Sequence, residues 1–185
     1  MQNNEKNFTN YAERVTEILL RVNPAEVAAL LKCITGTISR NGTLYVLGNG
    51  GSASTSSHFV NDLTIIAKRR KVYLNAVSLV DNSAIITAIG NDEGFENIFE
   101  KQLWGNLKKE DLVFCISASG NSQNLINAVK YASRLGVETA ALLGFSGGIL
   151  MSISEHSCLV KTSDGEYGPT EDVHLSICHY LAENI

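Results

Sequence analysis

Apolar residues near the start of the chain recur at intervals of three and four positions, which is the spacing of an α-helix. They predict one helix over residues 8–22 and a second helix from Pro24 to about Ser39, with the proline at its first position. Each predicted helix carries an apolar stripe on one face. We therefore expect residues 1–40 to form a helical hairpin that buries these stripes against a sheet or against another subunit.

After this hairpin the chain changes to short, continuous apolar runs, which are typical of parallel strands buried on both faces. The predicted strands cover residues 43–47, 76–80, 112–116, 137–143 and 158–161. The predicted helices cover residues 54–67, 83–89, 95–107, 121–135, 147–153 and 170–184. This alternation predicts βαβ units with right-handed crossovers. We therefore expect an α/β fold, a doubly wound three-layer αβα sandwich with a five-stranded parallel sheet in flavodoxin-like order.

The chain of 185 residues has the length of a single domain, with its α/β core over residues 41–185. Its net charge of −4 argues against a nucleic-acid partner, because that binding depends on Lys and Arg at the phosphates. No apolar run approaches the roughly 18 residues that suggest a membrane span, and the first ten residues lack an apolar segment. The four widely spaced cysteines are expected to be buried free thiols. These features predict a cytoplasmic protein that binds neither nucleic acid nor membrane.

Two short loops rich in Gly, Ser and Asn follow the first and third predicted strands. They are residues 48–52 (Gly-Asn-Gly-Gly-Ser) and residues 117–122 (Ser-Ala-Ser-Gly-Asn-Ser), and each leads into a predicted helix. Glycines let backbone amides approach an anion, and helix N-termini add unpaired N–H donors and partial positive charge. Because the strand order should reverse between these strands, both loops are expected at the ligand-binding edge of the sheet. The pattern predicts a phosphate site formed by both loops.

Each loop taken singly also fits a tight turn whose Ser or Asn caps the next helix. Neither loop has the lysine of a Walker A sequence, which argues against nucleoside triphosphate hydrolysis. Residues 48–53 match the loose dinucleotide fingerprint, but a basic run at residues 68–71 stands where an acidic residue should bind the ribose. That basic run fits either a solvated turn or a basic lip that attracts an anionic ligand.

Candidates for proton transfer or metal binding lie on two predicted helices. His58 and Asp62 are four residues apart, so both can face one side of the helix that follows the first loop. Such a pair can share a metal or a proton, or it can be a surface contact only. Glu171 and His179 lie about 80° apart around the closing helix, close enough to reach one site, whereas His174 lies about 140° from His179.

The same closing segment also has a purely structural interpretation. Thr170 is expected to be the N-cap of the closing helix, with Glu171 and Asp172 complementing the helix dipole in its first turn. His156 is expected to lie in a loop, without a partner and in contact with water.

Three motifs together resemble the sugar isomerase (SIS) domain family. They are residues 48–52, the Gly-Asn-Asp of residues 90–92, and residues 117–122. The similarity covers nearly the whole chain and is greater still to the phosphoheptose isomerases, which convert sedoheptulose 7-phosphate to D-glycero-D-manno-heptose 7-phosphate. The resemblance implies a phosphorylated sugar as ligand, Zn²⁺ as cofactor, and a homotetramer with active sites at subunit boundaries. Residues 1–40 would then take part in oligomerisation.

The resemblance also implies roles for individual residues. Phosphate and sugar would be bound by residues of the motifs, namely Asn49, Gly50, Gly51, Ser52, Asp92, Ser117, Ser119 and Ser122. The positions of the family's catalytic and zinc-binding set hold His58, Asp62, Glu171 and His179. Asp62 would be the base and His179 the acid of an aldose–ketose isomerisation through an enediol. Asp62 could instead be a metal ligand, and both roles stay open.

Two of these positions depart from the family pattern. Asp62 is one methylene shorter than the usual Glu, and Glu171 carries a charge where a neutral amide is common. The departures imply either a site adapted to a different sugar or an inactive site. The alternatives to an isomerase are a non-catalytic tetrameric adaptor and a regulatory module that senses a sugar phosphate.

Overall fold

The computed structural model describes residues 2–185, with side chains from residue 7 onward. The five strands are β1 (Thr43–Gly48), β2 (Asn75–Ser78), β3 (Leu112–Ser117), β4 (Glu138–Phe145) and β5 (His156–Lys161). The first four helices are α1 (Gln2–Arg21), α2 (Pro24–Ser39), α3 (Gly51–Arg70) and α4 (Ser83–Asp92). A 3₁₀ turn (Phe95–Asn97) then precedes α5 (Glu100–Leu103), α6 (Gln123–Arg134), α7 (Leu150–Ile153) and α8 (Tyr167–Glu183).

The five strands form one parallel sheet in the order β2-β1-β3-β4-β5. The prediction of a doubly wound α/β sandwich with flavodoxin-like order is therefore confirmed. β1 lies beside β3, with Gly48 opposite Ile116 at the carboxyl ends of the two strands. The strand order reverses at β1, so the loops after β1 and β3 begin next to each other at one edge of the sheet.

Alternating side chains of the strands divide the core into two layers. Leu44 and Val46 of β1 pack into a cluster that includes buried residues of α1, α2, α3 and α8. Leu47 points to the opposite face, into a cluster with residues of α5, α6 and α7. In the first layer the rings of Phe59 and Phe114 lie 5.6 Å apart, and both residues are fully buried. Apolar burial on both faces is the main stabilising contribution to this sandwich.

The two N-terminal helices are joined by two residues. Asn23 caps α2 by accepting a hydrogen bond from the Ala25 backbone N–H at 3.0 Å, and Pro24 occupies the first helical position as predicted. α1 packs against α8 and β5, and α2 packs against β5 and β1. Part of the apolar surface of α1 stays exposed, including Phe8 and Leu20, the latter 81% accessible.

The closing helix begins earlier than predicted. α8 starts at Tyr167, so Thr170 is a buried helical residue and not the N-cap. Its hydroxyl donates to the Glu166 carbonyl at 2.7 Å and lies 2.7 Å from the Thr162 hydroxyl. Glu171 and Asp172 consequently lie beyond the first turn, and Asp172 accepts a hydrogen bond from the Tyr11 hydroxyl. The expected N-terminal dipole role of these two acids is therefore wrong.

The cysteines are free thiols, as expected. All four are buried, and burial raises the pKa of each thiol above its ordinary value. Within residues 2–185, no helix combines the length and the hydrophobicity that a membrane span requires.

His174 is a fully buried residue of α8, and neither of its ring nitrogens has a hydrogen-bond partner in the described part of the chain. Burial lowers the pKa of His174 to about 4, and a weaker effect of the Leu143 backbone acts in the opposite direction. The unfolded chain binds a proton here below about pH 6.5, whereas the folded protein does so only near pH 4. The contribution of neutral, buried His174 to the free energy of unfolding is therefore complete above pH 6.5 and is lost as the pH falls toward 4.

We expect the free energy of unfolding to fall by about 3 kcal/mol between pH 6.5 and 4 through His174 alone. His174→Leu keeps the side chain apolar and removes the titration, so its stability should depend less on pH over this interval. Urea denaturation of both proteins at pH 7 and pH 4.5 measures the difference. Equal changes in the two proteins would show that His174 does not take up a proton on unfolding.

Candidate active site

The two predicted loops lie side by side at the carboxyl edge of the sheet. The Asn49 side chain, after β1, and the Asn124 side chain, in the first turn of α6, exchange two amide hydrogen bonds of 2.9 Å. The Asn124 carbonyl oxygen also accepts from the Leu125 backbone N–H. Nothing in the local pattern around Asn124 distinguishes it from an ordinary helical residue, so its role is not predictable from the sequence. This amide pair ties the first loop directly to the helix that follows the second.

The first loop presents the N-terminus of α3. Gly50 precedes the helix with φ of 54°, a conformation that glycine adopts without strain. The first intrahelical bonds run from the Ala53 and Ser54 amides to the Asn49 and Gly50 carbonyls. The Gly51 and Ser52 amides stand ahead of that ladder, where helix N–H groups lack intrahelical acceptors. They are therefore available to an anion.

The second loop is held in shape by its own side chains. The buried Ser117 hydroxyl accepts from the Gly120 amide at 3.0 Å, and the Ser119 hydroxyl accepts from the Asn121 amide at 3.3 Å. Ser122 is at the N-cap position of α6 but makes no side-chain capping bond, so its hydroxyl stays available. A cavity of about 420 Å³ lies at this junction, lined by Asn49, Phe95, Glu96, Ser122, Gln123 and Asn124.

Three of the predicted catalytic residues converge on the flanks of α3 and α8. The Nε2 atoms of His58 and His179 are 3.1 Å apart. The Asp62 Oδ2 atom lies 3.1 Å from the first of these nitrogens and 3.6 Å from the second. The cluster is half-exposed, and it borders a groove of about 240 Å³ that Arg69 also lines. A carboxylate and two imidazoles at these separations can transfer protons or bind one cation together.

The donor atoms of this cluster fit a metal ion. A tetrahedral zinc ion with bonds of about 2.0 Å to nitrogen and oxygen separates its ligand atoms by about 3.3 Å. The three separations of 3.1, 3.1 and 3.6 Å are close to that value. Two imidazole nitrogens and a carboxylate oxygen are also ligand types that zinc accepts. His58, Asp62 and His179 are thus a candidate metal-binding group.

Glu171, predicted as the fourth member, does not join this group. Its carboxylate lies over Gly51 at the N-terminus of α3, where a Cβ added to the glycine would stand 2.3 Å from Oε2. The positive end of the helix dipole stabilises this charge. An alanine at position 51 would displace the flexible Glu171 side chain from this position.

Two further predicted features have different surroundings from those expected. Asp92 ends α4 as an exposed residue and accepts a hydrogen bond of 2.7 Å from Asn91, not from either loop, within the described residues. The basic run forms the last turn of α3 and its C-cap, so it is not a separate turn. Within it, Arg69 lines the groove beside Asp62 and His179, near the opposite end of α3 from the paired loops.

Comparison with known proteins agrees with this geometry. A family model described as the SIS domain matches residues 7–144. The chain belongs to the SIS domain family. The phosphoheptose isomerase of Akkermansia muciniphila is 34% identical over 158 residues, which cover 85% of this chain and 82% of the relative. The probable phosphoheptose isomerase of Thermoplasma acidophilum is 33% identical over 95% of both chains.

Among solved structures, the phosphoheptose isomerase from Neisseria gonorrhoeae superposes with a TM-score of 0.85 at 26% identity. The superposition covers 98% of this chain and 97% of that one. The match extends over the N-terminal helices and α8 as well as the sheet. This SIS domain therefore shares its whole architecture, and not only its α/β core, with that isomerase.

Proposed function

We propose that this protein is a phosphoheptose isomerase that interconverts sedoheptulose 7-phosphate and D-glycero-D-manno-heptose 7-phosphate. Relatives of that name match nearly the whole chain, which makes it a phosphosugar isomerase by family. The observation that carries the proposal is the convergence of His58 and Asp62 of α3 with His179 of α8, on the helix that begins at the first of the paired loops.

The loops account for binding of the sugar's phosphate. The amides of Gly51 and Ser52 and the hydroxyls of Ser119 and Ser122 belong to the loops at two neighbouring helix N-termini, which would favour an anionic ligand once the Glu171 carboxylate moves away from Gly51. We propose that the phosphate binds here with the sugar carbons directed along α3. Asn49 and its partner Asn124 would hold the two sides of the site at a fixed separation.

The histidine and aspartate cluster accounts for the chemistry. Asp62 faces both imidazoles, and we assign it as the base that removes the proton from the carbon beside the carbonyl. His179 gives a proton to the carbonyl oxygen, which produces a cis-enediol. Asp62 then returns its proton to the neighbouring carbon while the hydroxyl on the first carbon gives its proton back to His179, which forms the new carbonyl and restores both side chains. In the alternative role, His58, Asp62 and His179 would hold zinc, which when bound would supply Lewis-acid polarisation of the carbonyl, and Asp62 would then not be free to act as the base.

The site's setting in the cell and in an assembly is part of the same proposal. We propose that residues 1–185 form one domain and that residues 1–40 take part in forming a homotetramer. We also propose a cytoplasmic location, because free thiols persist in reducing compartments. An apolar groove of about 440 Å³ between α1, α2 and α8 supports self-association, because such surfaces are rarely left open in soluble monomers. Its lining residues are Leu19, Val22, Pro24, Val27, Ser176, Ile177 and Tyr180.

Ser119→Ala tests the phosphate loop. Losing a hydrogen bond to a charged phosphate costs about 1.5–3 kcal/mol, so we expect KM for sedoheptulose 7-phosphate to rise about 10- to 100-fold. The kcat value should change much less, because the hydroxyl does not touch the reacting carbons. Steady-state kinetics measure both constants.

Ser133→Ala removes the same hydroxyl from an exposed position on α6 and is the matched control. It should leave KM unchanged. A wild-type protein without turnover of C5 to C7 ketose phosphates, and without bound metal, would contradict the isomerase and favour an adaptor.

A further inference from the structure

A second cluster of metal-ligating side chains lies at the opposite edge of the sheet. Glu138 and His156 are the first residues of β4 and β5, and Cys33 projects from α2, which packs over these strands. The paired loops and the His58 cluster follow the carboxyl ends of strands, so this group belongs to a separate part of the molecule. The prediction of His156 as a solvated loop residue is wrong, because His156 lies half-buried in a strand.

The three side chains converge on one point. His156 Nε2 is 3.4 Å from Glu138 Oε1, which is close to the separation of about 3.3 Å between two ligand atoms of a tetrahedral zinc ion. The Cys33 sulfur, the imidazole nitrogen and the carboxylate oxygen all lie within 4.8 Å of one another. Cys33 is 3% accessible, so the sulfur approaches from the protein interior.

The surroundings leave room for an ion and hold the carboxylate in place. A cavity of about 520 Å³ opens beside the cluster, and the small residues Ala29 and Gly36 contribute to its lining. Arg40 binds the other oxygen of Glu138, Oε2, at 2.7 Å, which orients Oε1 toward His156. Residues that hydrogen-bond to a metal ligand, as Arg40 does to Glu138, hold that ligand in the orientation that binding requires.

The charges and donor types select a class of ion. A thiolate and a carboxylate together carry two negative charges, one of them partly offset by Arg40, and the neutral imidazole adds a third ligand. Sulfur disfavours Mg²⁺ and Ca²⁺, which prefer oxygen ligands. The Glu155 carboxylate, 3.8 Å from His156 Nε2, or a water from the cavity completes four-fold coordination.

We propose that Cys33, Glu138 and His156 form a second divalent metal site, for Zn²⁺ or a similar transition ion, distinct from the isomerase site. Binding replaces the thiol proton, which leaves to water, and breaks the present Cys33 hydrogen bond to the Ala29 carbonyl. The ion ties α2 to β4 and β5. Because α2 belongs to the proposed oligomerisation segment, the site would stabilise the helices that meet another subunit.

Cobalt binding tests the proposal directly. We expect the purified metal-free chain to bind Co²⁺ with a thiolate-to-metal absorption band in the near ultraviolet. The isomerase cluster contains no sulfur, so this band reports only on the second site. Adding Zn²⁺ should displace the cobalt, abolish the band and raise Tm.

Matched variants locate the ligands. Cys33→Ser should lose the band, whereas Cys158→Ser, which removes another buried thiol on β5, should keep it. His156→Gln should weaken Co²⁺ binding at least about tenfold and provides a second test if Cys33→Ser folds poorly. All three variants should retain isomerase turnover, which separates this proposal from the proposed function. A wild-type chain without the band, or a Cys33→Ser variant that keeps it, would show that the cluster is only an ion-pair network.

Discussion

We expect Asp62→Asn to lower turnover of sedoheptulose 7-phosphate by about 10²- to 10⁴-fold, which is the usual contribution of a general base. The amide keeps the size of the side chain but cannot accept a proton from carbon. In heavy water the wild-type enzyme should incorporate deuterium into the sugar, and Asp62→Asn should not. Mass spectrometry of the recovered sugar phosphate measures the exchange.

The control for this result is Asp164→Asn, which makes the same chemical change in an exposed loop before α8. It should leave both turnover and exchange at the wild-type level. Undiminished deuterium exchange in Asp62→Asn would remove Asp62 from the role of base. Zinc analysis of the variant distinguishes the two possible roles of Asp62. A variant that loses turnover but keeps zinc indicates a base, whereas a variant that also loses zinc indicates a metal ligand.

The second large effect is expected at Gly120 in the loop after β3. Its φ of 65° suits glycine, and a Cβ added here would lie 1.9 Å from the Gly147 carbonyl oxygen. Gly120→Ala combines backbone strain of about 1–2 kcal/mol with a clash against backbone that cannot rotate away. We expect a loss of about 3 kcal/mol or more in the free energy of unfolding, measured by urea denaturation.

Gly136→Ala isolates the contribution of the backbone. Gly136 has a φ of 70°, but nothing lies within 4 Å of an added Cβ. Its replacement should therefore cost only the strain of about 1–2 kcal/mol. If Gly120→Ala and Gly136→Ala lower the free energy of unfolding equally, the contact with Gly147 has no effect and the second loop tolerates displacement.

The sheet and the placement of the two loops at one of its edges could be predicted because they depend on local patterns. Continuous apolar runs identify buried parallel strands, and glycine with serine identifies the loops between strand and helix. The start of α2 was predicted correctly, because a proline after an asparagine is a strong local signal. The start of α8 was not, because Gly168 and Pro169 suggest a loop although proline is tolerated in a first helical turn.

The separation of Glu171 from His179 shows a second limit of sequence reasoning. The angle of about 80° around α8 is small, but the separation of eight positions also corresponds to an advance of about 12 Å along the helix axis. Glu171 therefore meets the beginning of α3, and His179 meets residues two turns later. The positions of Cys33, Glu138 and His156 are too far apart in sequence for any local pattern to bring them together.

The same advance along the helix axis means that α3 fixes the distance between the groups at its start and those two turns later. Gly51 and His58 are seven residues, or about 10 Å, apart on one continuous helix, so the distance between the proposed phosphate site and the proposed reacting groups is fixed. A sugar must supply the matching number of carbons between its phosphate and its carbonyl. Discrimination between short and long sugars would thus reside in the rigid backbone, and lengthening or shortening α3 by one turn would change which sugar reaches the histidines.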